Sequence, residues 1–178
     1  MDSIALLRSQ LEQANQWLEA TLGDPARPEL HVTPPGDANS AAVSYAHAVI
    51  SQDLIVAGML RGAAPLCATS WSNSTGVSEP MPMPGPEWVR YRDWTRSVNV
   101  DLPAVQRYAE AVYAEADAYL ASLTAADLDR EIDLTAVGFG MQTVAWVIGL
   151  LVIGHTHNLA GEISAAKGVQ GLRGYAEG

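Results

Sequence analysis

The chain has 178 residues, of which 48% are hydrophobic, and its formal net charge is −10. This composition is typical of one globular domain with a sizeable core. The acidic balance opposes binding to nucleic acid and to anionic membrane surfaces. The single cysteine, Cys67, excludes an internal disulfide and a cysteine-based metal site, and it fits a reducing cytoplasm. We therefore expect a cytoplasmic protein with a single domain over residues 1–178.

No segment of the sequence predicts secretion or a membrane span. The first residues lack a basic stretch followed by an apolar region, which a signal peptide would require. The longest apolar run, residues 144–154, is shorter than the roughly 18–20 residues that cross a bilayer. We expect this run to form a buried helix, and the binding partner to be a small molecule or another protein.

Apolar residues at helical spacing predict four long helices. The first covers residues 3–22 with Ser3 as its N-cap, and the second runs from the capping residues 37–40 to about residue 61. The third covers residues 102–123 after the N-cap Asp101, and the fourth runs from about 141 to 166. The fourth is apolar on nearly all sides in its first half, so we expect it to lie centrally.

The segments between these helices differ in character. Residues 23–37 contain four prolines and predict a loop without a helix of its own. Residues 62–94 are rich in Ser, Gly and Pro, and a connection of this length is often a lid or a binding loop. "TAAD" at 124–127 predicts one short helical turn with a capping box, and "EIDL" and "VGFG" are expected to be connectors. The sequence thus predicts an all-α fold, a four-helix bundle with a long connection between helices 2 and 3.

The fourth helix carries two histidines, His155 and His157, separated by one residue. Residues four apart share a helix face and residues two apart do not, so His155 aligns with Leu159 and Glu162, whereas His157 lies about 200° around the helix. The two imidazoles cannot easily bind one ion on a regular helix. For His157 we favour a structural role, because no potential ligand shares its face.

An inward histidine on the second helix, His47, could meet His155 in the bundle core. A stable metal site needs at least three protein ligands, and Glu162 is the nearest candidate for the third on the stripe of His155. The alternative is that His47 is a hydrogen-bonded core residue without a ligand role. We expect His31, in the proline-rich loop, to be a surface residue, and Glu162 could equally be a polar residue near the helix end.

Aromatic and sulfur-containing residues cluster in or beside the connection 62–94: Trp71, Met81, Met83, Trp88, Tyr91 and Trp94. They could line a pocket for an apolar ligand, in which case Trp71, Trp88, Tyr91 and Ser51 are the candidate substrate-binding residues. They could instead fasten the connection onto the bundle as a satellite core, or form a dimer surface. The sequence leaves these alternatives open.

Three segments resemble the DinB/YfiT superfamily: "SYAHAVISQD", "LTAADLDREIDL" and "GHTHNLAGEISAAKG". The last helix of the family typically reads H-x-x-x-H-x-G-x-I, followed shortly by a glycine. This chain matches that pattern at His155, Gly161, Ile163 and Gly168, and departs from it at Leu159. The resemblance covers nearly the whole chain and implies a four-helix bundle.

The resemblance also implies a divalent metal, often Zn or Ni, held by three histidines on helices 2 and 4. His47 and His155 correspond to the first two, and Leu159 stands in place of the third. Relatives include metal-dependent hydrolases and transferases of low-molecular-weight thiols such as bacillithiol and mycothiol, and they commonly form homodimers. Because a site with two imidazoles binds an ion weakly, either Glu162 or another oxygen ligand completes it, or the pocket works without a metal.

Two functional hypotheses follow. The first is a small-molecule enzyme, either a thiol transferase or a metal-assisted hydrolase, with catalytic His47 and His155 between helices 2 and 4 and the long connection over the pocket. Without a metal, the two imidazoles could still act as acid and base. The second is a metal-free protein that binds or sequesters a hydrophobic small molecule.

Overall fold

Four long helices form the bundle that the hydrophobic periodicity predicts. The computed structural model describes residues 2–83 and 86–175, without the side chains of residues 86 and 87. The helices and strands, in chain order, are α1 (Ser3–Leu22), α2 (Ala41–Leu60), α3 (Tyr91–Ser97), α4 (Leu102–Ser122), α5 (Ala125–Leu128), β1 (Glu131–Leu134), β2 (Gly140–Thr143) and α6 (Val144–Val169). The all-α class is therefore confirmed, with one small hairpin added.

The four long helices pack side by side in a closed arrangement. Helix α1 contacts α4 and α6, and α2 contacts the same two helices, whereas α1 and α2 lie on a diagonal with few contacts. Their apolar faces fill two clusters along the bundle. Tyr45, Tyr108 and Ile163 lie in one, and Leu11 and Ile148 in the other, all nearly inaccessible to solvent. Burial of this apolar surface, at about 25 cal/mol per Å², is the main force that holds the four helices together.

The caps explain most of the helix boundaries. Ser40 and Asp101 accept hydrogen bonds from the backbone of the first turns of α2 and α4, as the sequence predicts. At α1 the N-cap is Asp2 rather than Ser3, since the Asp2 carboxylate accepts from the Ala5 amide at 2.7 Å. The predicted capping box is present at α5, where Thr124 and Asp127 exchange hydrogen bonds.

A β-hairpin replaces the connectors that we expected before the last helix. Strands β1 and β2 pair antiparallel with Glu131 opposite Thr143 and Leu134 opposite Gly140. Gly138, at φ +89°, provides the left-handed residue in the turn. Because β2 takes residues 140–143, α6 begins at Val144 with Thr143 as its N-cap, three residues later than predicted.

Two stretches of the long helices are wound as π-helix, with a wider turn than an α-helix. They cover Leu54–Leu60 at the end of α2 and Val147–Gly154 near the start of α6, and the two stretches contact each other. Regular α-helix resumes at His155 and continues to Val169. The helical-wheel argument for His155 and His157 therefore applies to the part of α6 that carries them.

Helices α2 and α6 are both long and apolar enough to cross a membrane, judged by length and composition alone. The apolar run 144–154 is short, but the helix that contains it continues through His155 to 26 residues. In α2, 89% of the most apolar stretch is buried within the protein, as in the core helix of a soluble protein. In α6 the corresponding share is 44%.

The long connection between α2 and α4 contains more regular structure than predicted. It includes the 3₁₀ turns Leu66–Ala68 and Pro86–Arg90, and helix α3. Gly76, at φ +88°, lies so close to the start of α4 that a Cβ atom there would approach the Val105 amide to 2.6 Å. The connection thus packs directly on the bundle. The first loop likewise holds one short 3₁₀ turn, Pro28–His31, where none was expected.

A buried lysine caps the far end of α1. The Lys167 ammonium donates to the carbonyls of Thr21 and Leu22, the last residues of that helix, and Lys167 is only 9% exposed. Burial, with a smaller effect from Arg27, lowers the pKa of this ammonium. A positive charge at a helix C-terminus is favourable, so Lys167 joins α6 to the end of α1.

Candidate functional site

The bundle brings together the two histidines that the sequence singled out. The rings of His47 on α2 and His155 on α6 lie with their centroids 5.0 Å apart and their planes at 68°. His47 is 8% exposed and His155 is half-buried, whereas His157 and His31 are exposed. His157 therefore belongs to the surface of α6 and not to the core.

Aromatic residues from the long connection cover this pair. The Tyr91 hydroxyl lies 2.6 Å from His47 Nδ1, and the Tyr91 ring stacks on Trp88 at 4.2 Å, with an angle of 11° between the planes. Trp88 also contacts the His47 ring at a centroid distance of 5.9 Å, and Trp94 stacks on Tyr91 at 5.8 Å. The predicted residues Trp88 and Tyr91 thus lie beside the histidines.

Burial keeps this cluster electrically neutral. Desolvation, followed by the neighbouring His155, lowers the pKa of His47 to about 3. Desolvation also lowers the pKa of His155 and raises that of Tyr91. At neutral pH both imidazoles are free bases and the phenol keeps its proton. With the phenol donating, Nδ1 of His47 is the acceptor and the ring proton resides on Nε2.

A large cavity lies next to this cluster, between α2 and the long connection. Its volume is about 1270 Å³, and apolar side chains on its inner wall include Ile50, Leu54, Met81 and Trp94. Polar residues make up much of the rest of the wall, and they include the charged side chains of Glu79, Arg90 and Asp93. Ile50 and Leu54 continue the stripe of His47 along α2. Trp94 is shared, because it lines the cavity and stacks on the tyrosine that binds His47.

The predicted substrate-binding residues do not coincide with this wall. Trp71, Trp88, Tyr91 and Ser51 are absent from the described lining of the cavity. Trp71 instead packs against the buried Tyr108 ring at 5.7 Å, which fits the alternative that aromatics fasten the connection to the bundle. Ser51 is 7% exposed on α2. Trp71 thus fits the satellite-core alternative, whereas Met81 and Trp94 line the cavity.

Asp53 is a site residue that the sequence reasoning missed. Its carboxylate is 3% exposed and accepts from the Leu66 amide at 2.9 Å, the Cys67 amide at 2.8 Å and the Tyr108 hydroxyl at 2.6 Å. These bonds hold the first 3₁₀ turn of the connection, and with it one wall of the cavity, against the bundle. The sequence did contain a sign of this role, because Asp53 is an acidic residue between Ile50 and Leu54 on an otherwise apolar face of the helix.

Comparison with known proteins gives the family. The sequence profile described as the DinB superfamily matches residues 10–160. The chain belongs to the DinB superfamily. No curated protein sequence matches this DinB-superfamily chain.

A solved structure supports the same fold. The crystal structure of a conserved protein from Enterococcus faecalis has a TM-score of 0.73 with this DinB-superfamily chain. The two share 20% sequence identity, and the match covers 95% of this chain and 97% of the other. At this identity the likeness concerns the fold alone.

The donor set does not fit the metal that the DinB family implies. The predicted ligands His47, His155 and Glu162 are not assembled, and the described residues contain no group of three His, Cys, Asp or Glu side chains able to hold an ion. Glu162 is exposed and accepts from the Ser44 hydroxyl at 3.1 Å instead. Leu159 is buried at the position where the family has its third histidine. Nδ1 of His47 is already bonded to Tyr91. Each of the two histidines can therefore offer one ring nitrogen to an ion, and a third ligand is missing from the described residues.

Proposed function

We propose that this DinB-superfamily protein binds a small, mainly apolar organic molecule in the cavity between α2 and the long connection, without a metal. The observation that carries the proposal is the cavity of about 1270 Å³, whose inner wall is apolar and shares Trp94 with the aromatic stack on His47. Small-molecule sites are typically concave and apolar with a few fixed polar groups. His47 and His155 are not part of the described lining of the cavity, and they are connected to it through Tyr91 and the shared Trp94.

The protonation states favour binding over acid–base chemistry. A general base is most effective when its pKa lies near the working pH. The pKa of His47 is about 3, and the pKa of Tyr91 is raised, so neither group readily exchanges a proton at neutral pH. An imidazole that stays neutral adds no charge beside the cavity, so it does not disfavour an uncharged ligand there.

A neutral apolar fluorophore, N-phenyl-1-naphthylamine, tests the proposal. We expect saturable binding with enhanced fluorescence, unchanged after treatment with EDTA. Ala68 lies on the cavity wall and is exposed, so Ala68→Trp should weaken binding by about tenfold or more without removing core contacts. Ala64→Trp, on an exposed residue outside the described lining, is the matched control. If the wild type shows no saturable binding, or Ala68→Trp binds as tightly as Ala64→Trp, the cavity is not the site.

The second candidate is a thiol transferase, or the related hydrolase. It is favoured by two unprotonated imidazoles 5.0 Å apart, of which His155 is accessible from solvent. In a transfer, the thiol sulfur would bond to an electrophilic carbon, the leaving group would depart with its electron pair, and an imidazole would take the thiol proton. A low-molecular-weight thiol such as bacillithiol or mycothiol would be the co-substrate.

Thiol addition to monochlorobimane, which releases chloride, separates the two candidates. A transferase that uses these groups should lose about a hundredfold in rate on His155→Ala while still binding N-phenyl-1-naphthylamine. His157→Ala, on the exposed face of the same helix, is the control. An unchanged rate in both His47→Ala and His155→Ala would remove the catalytic hypothesis and leave the binding function.

A further inference from the structure

Sulfur-containing side chains gather at the cavity between α2 and the long connection. The chain has five methionines and one cysteine, and three of these six residues, Cys67, Met81 and Met83, line this cavity. Met81 is buried and Met83 is half-exposed, so sulfur is present on the inner wall and towards the solvent. The polarizable sulfur of such side chains makes favourable contacts with aromatic rings. The lining thus favours ligands with aromatic rings over other apolar ligands.

The Cys67 thiol contributes to this wall as a neutral group. Desolvation, followed by the charge of Asp53, raises the pKa of the thiol to about 11. At neutral pH the thiol therefore keeps its proton, and a protonated thiol is neither an effective nucleophile nor a metal ligand. Cys67 thus offers a ligand an uncharged, polarizable surface.

Hydrogen bonds hold both sulfur-bearing segments in place before a ligand enters. The Cys67 amide donates to the buried Asp53 carboxylate at 2.8 Å. The two methionines belong to the sequence Pro-Met-Pro-Met, residues 80–83, which directly follows Glu79. The Glu79 backbone carbonyl accepts from the Trp94 indole at 3.1 Å, and each proline restricts its own φ. A wall that is already ordered loses little conformational entropy when a ligand binds.

The charged residues of the wall also suit an aromatic ligand. Arg90 is exposed, lines the cavity and takes part in no salt bridge within the described residues. Its planar guanidinium can stack on an aromatic ring, whose face attracts a cation. Glu79 and Asp93 can meet the edge of such a ring, which carries the positive part of the quadrupole. A saturated ligand would desolvate these groups without offering them either interaction.

We propose that this cavity selects planar aromatic molecules over saturated molecules of the same carbon skeleton. The aromatic ring would contact the sulfur atoms of Met81 and Met83, and its face would pack on the Arg90 guanidinium. This selectivity rests on the proposed binding function and names the ligand class of that site. The competing class is an alkyl ligand, for which burial of apolar area alone would decide the affinity.

A pair of neutral alcohols, 2-naphthalenemethanol and decahydro-2-naphthalenemethanol, tests the selectivity. They share the carbon skeleton and the hydroxyl group, and the saturated alcohol is the more hydrophobic of the two. Burial of apolar area alone would therefore favour the saturated alcohol. We expect the aromatic alcohol to displace N-phenyl-1-naphthylamine at about tenfold lower concentration, which corresponds to about 1.4 kcal/mol.

Met81→Leu tests the contribution of sulfur, because leucine has a similar volume and no sulfur atom. We expect the ratio of the two affinities to fall by about threefold, while the affinity for the saturated alcohol is unchanged. Met141→Leu, at an exposed residue outside the described cavity lining, is the matched control.

Arg90→Lys covers the case in which Met81→Leu disturbs the fold. Arg90 is exposed, and lysine keeps the positive charge but removes the planar group, so the affinity ratio should again fall by about threefold. Arg107→Lys, at an exposed residue of α4 outside the described cavity lining, is the control.

These measurements separate the selectivity from the binding function. If N-phenyl-1-naphthylamine binds and the saturated alcohol displaces it as well as the aromatic one, the cavity is a binding site without aromatic selectivity. An unchanged affinity ratio in both Met81→Leu and Arg90→Lys would remove the proposed contacts, and with them the selectivity. If N-phenyl-1-naphthylamine does not bind to the wild type, both proposals are wrong.

Discussion

The position of single side chains decides the chemistry of the histidine cluster. His47 is a neutral base because burial and His155 disfavour its protonated form. The Tyr91 hydroxyl occupies one of its two nitrogens. Leu159, on the next turn after His155, adds apolar surface where a third imidazole would have added a ligand. Three side chains thus account for the difference between this cluster and a metal centre.

Acid should destabilise the protein through these imidazoles. The folded pKa of His47 is about 3 and the unfolded value is near 6.5, so the unfolded state takes up a proton first as the pH falls below 6.5. Stability is complete above that value and decreases towards pH 3. Between pH 7.5 and 5.5 we expect a loss of about 1.4 kcal/mol from His47, measured by urea unfolding. His47→Gln should reduce this pH dependence, and His157→Gln, at an exposed position, should not. Equal pH dependence in all three proteins would contradict the neutral state of His47.

Restoring the third imidazole should restore metal binding. Leu159→His places histidines at positions 155 and 159, which share a helix face, opposite His47. We expect this variant to retain about one equivalent of Ni²⁺ or Zn²⁺ after gel filtration, and Tyr91→Phe in the same chain to strengthen retention by freeing Nδ1 of His47. Leu150→His, on an exposed residue of the same helix, is the control. Stoichiometric metal in the wild-type protein, prepared without a histidine tag, would show that the cluster binds an ion as it stands.

The individual elements show where sequence reasoning succeeded. Helix α1 follows its prediction over all twenty residues, because one apolar face and a glycine–proline stop are local signals. The proximity of His47 and His155 could be predicted because the spacing of apolar residues shows which face of each helix points into the core. The hairpin was missed because its strands have only four residues each and are half-exposed, so no alternation develops. The contacts of Tyr91 and Asp53 were missed because they depend on the path of the long connection, which no period describes.

Asp53 should control whether the long connection stays on the bundle. Asp53→Asn removes the charge and presents an NH₂ group to one of two backbone amides that both need an acceptor. We expect a loss of about 2–3 kcal/mol in the free energy of unfolding, and faster proteolysis between residues 62 and 94. Asp129→Asn, at an exposed residue, provides the comparison. A resistant connection in Asp53→Asn would show that apolar packing alone holds it.

At the scale of the whole molecule, one face of the bundle remains apolar. Phe139, Met141 and Leu150 are 44–53% exposed around the hairpin and the start of α6, and Phe139 packs on Trp146 at 5.5 Å. Exposed apolar patches commonly mark interaction surfaces. The net charge of −10 produces a general repulsion between copies, which apolar contacts across this face would have to offset.

We expect a homodimer that uses this face. Light scattering should give twice the mass of the chain, and Leu150→Glu should shift the protein to a monomer with an unchanged circular dichroism spectrum, because Leu150 is half-exposed in the isolated chain. Glu110→Gln, on α4, should leave the mass unchanged. A monomeric wild type would end this expectation, and a dimer that survives Leu150→Glu would place the interface elsewhere.

Because Lys167 is buried, the rate at which its amine reacts can measure local opening of the bundle. Lys167 carries the one side-chain amine of the sequence, and that amine donates to the last carbonyls of α1, so its acylation can be followed separately from that of the α-amino group. Acylation must wait until the ends of α1 and α6 separate, so its rate measures that separation under native conditions. A slow rate in water and a rise at urea concentrations well below global unfolding would identify this end of the bundle as a separate unit of opening.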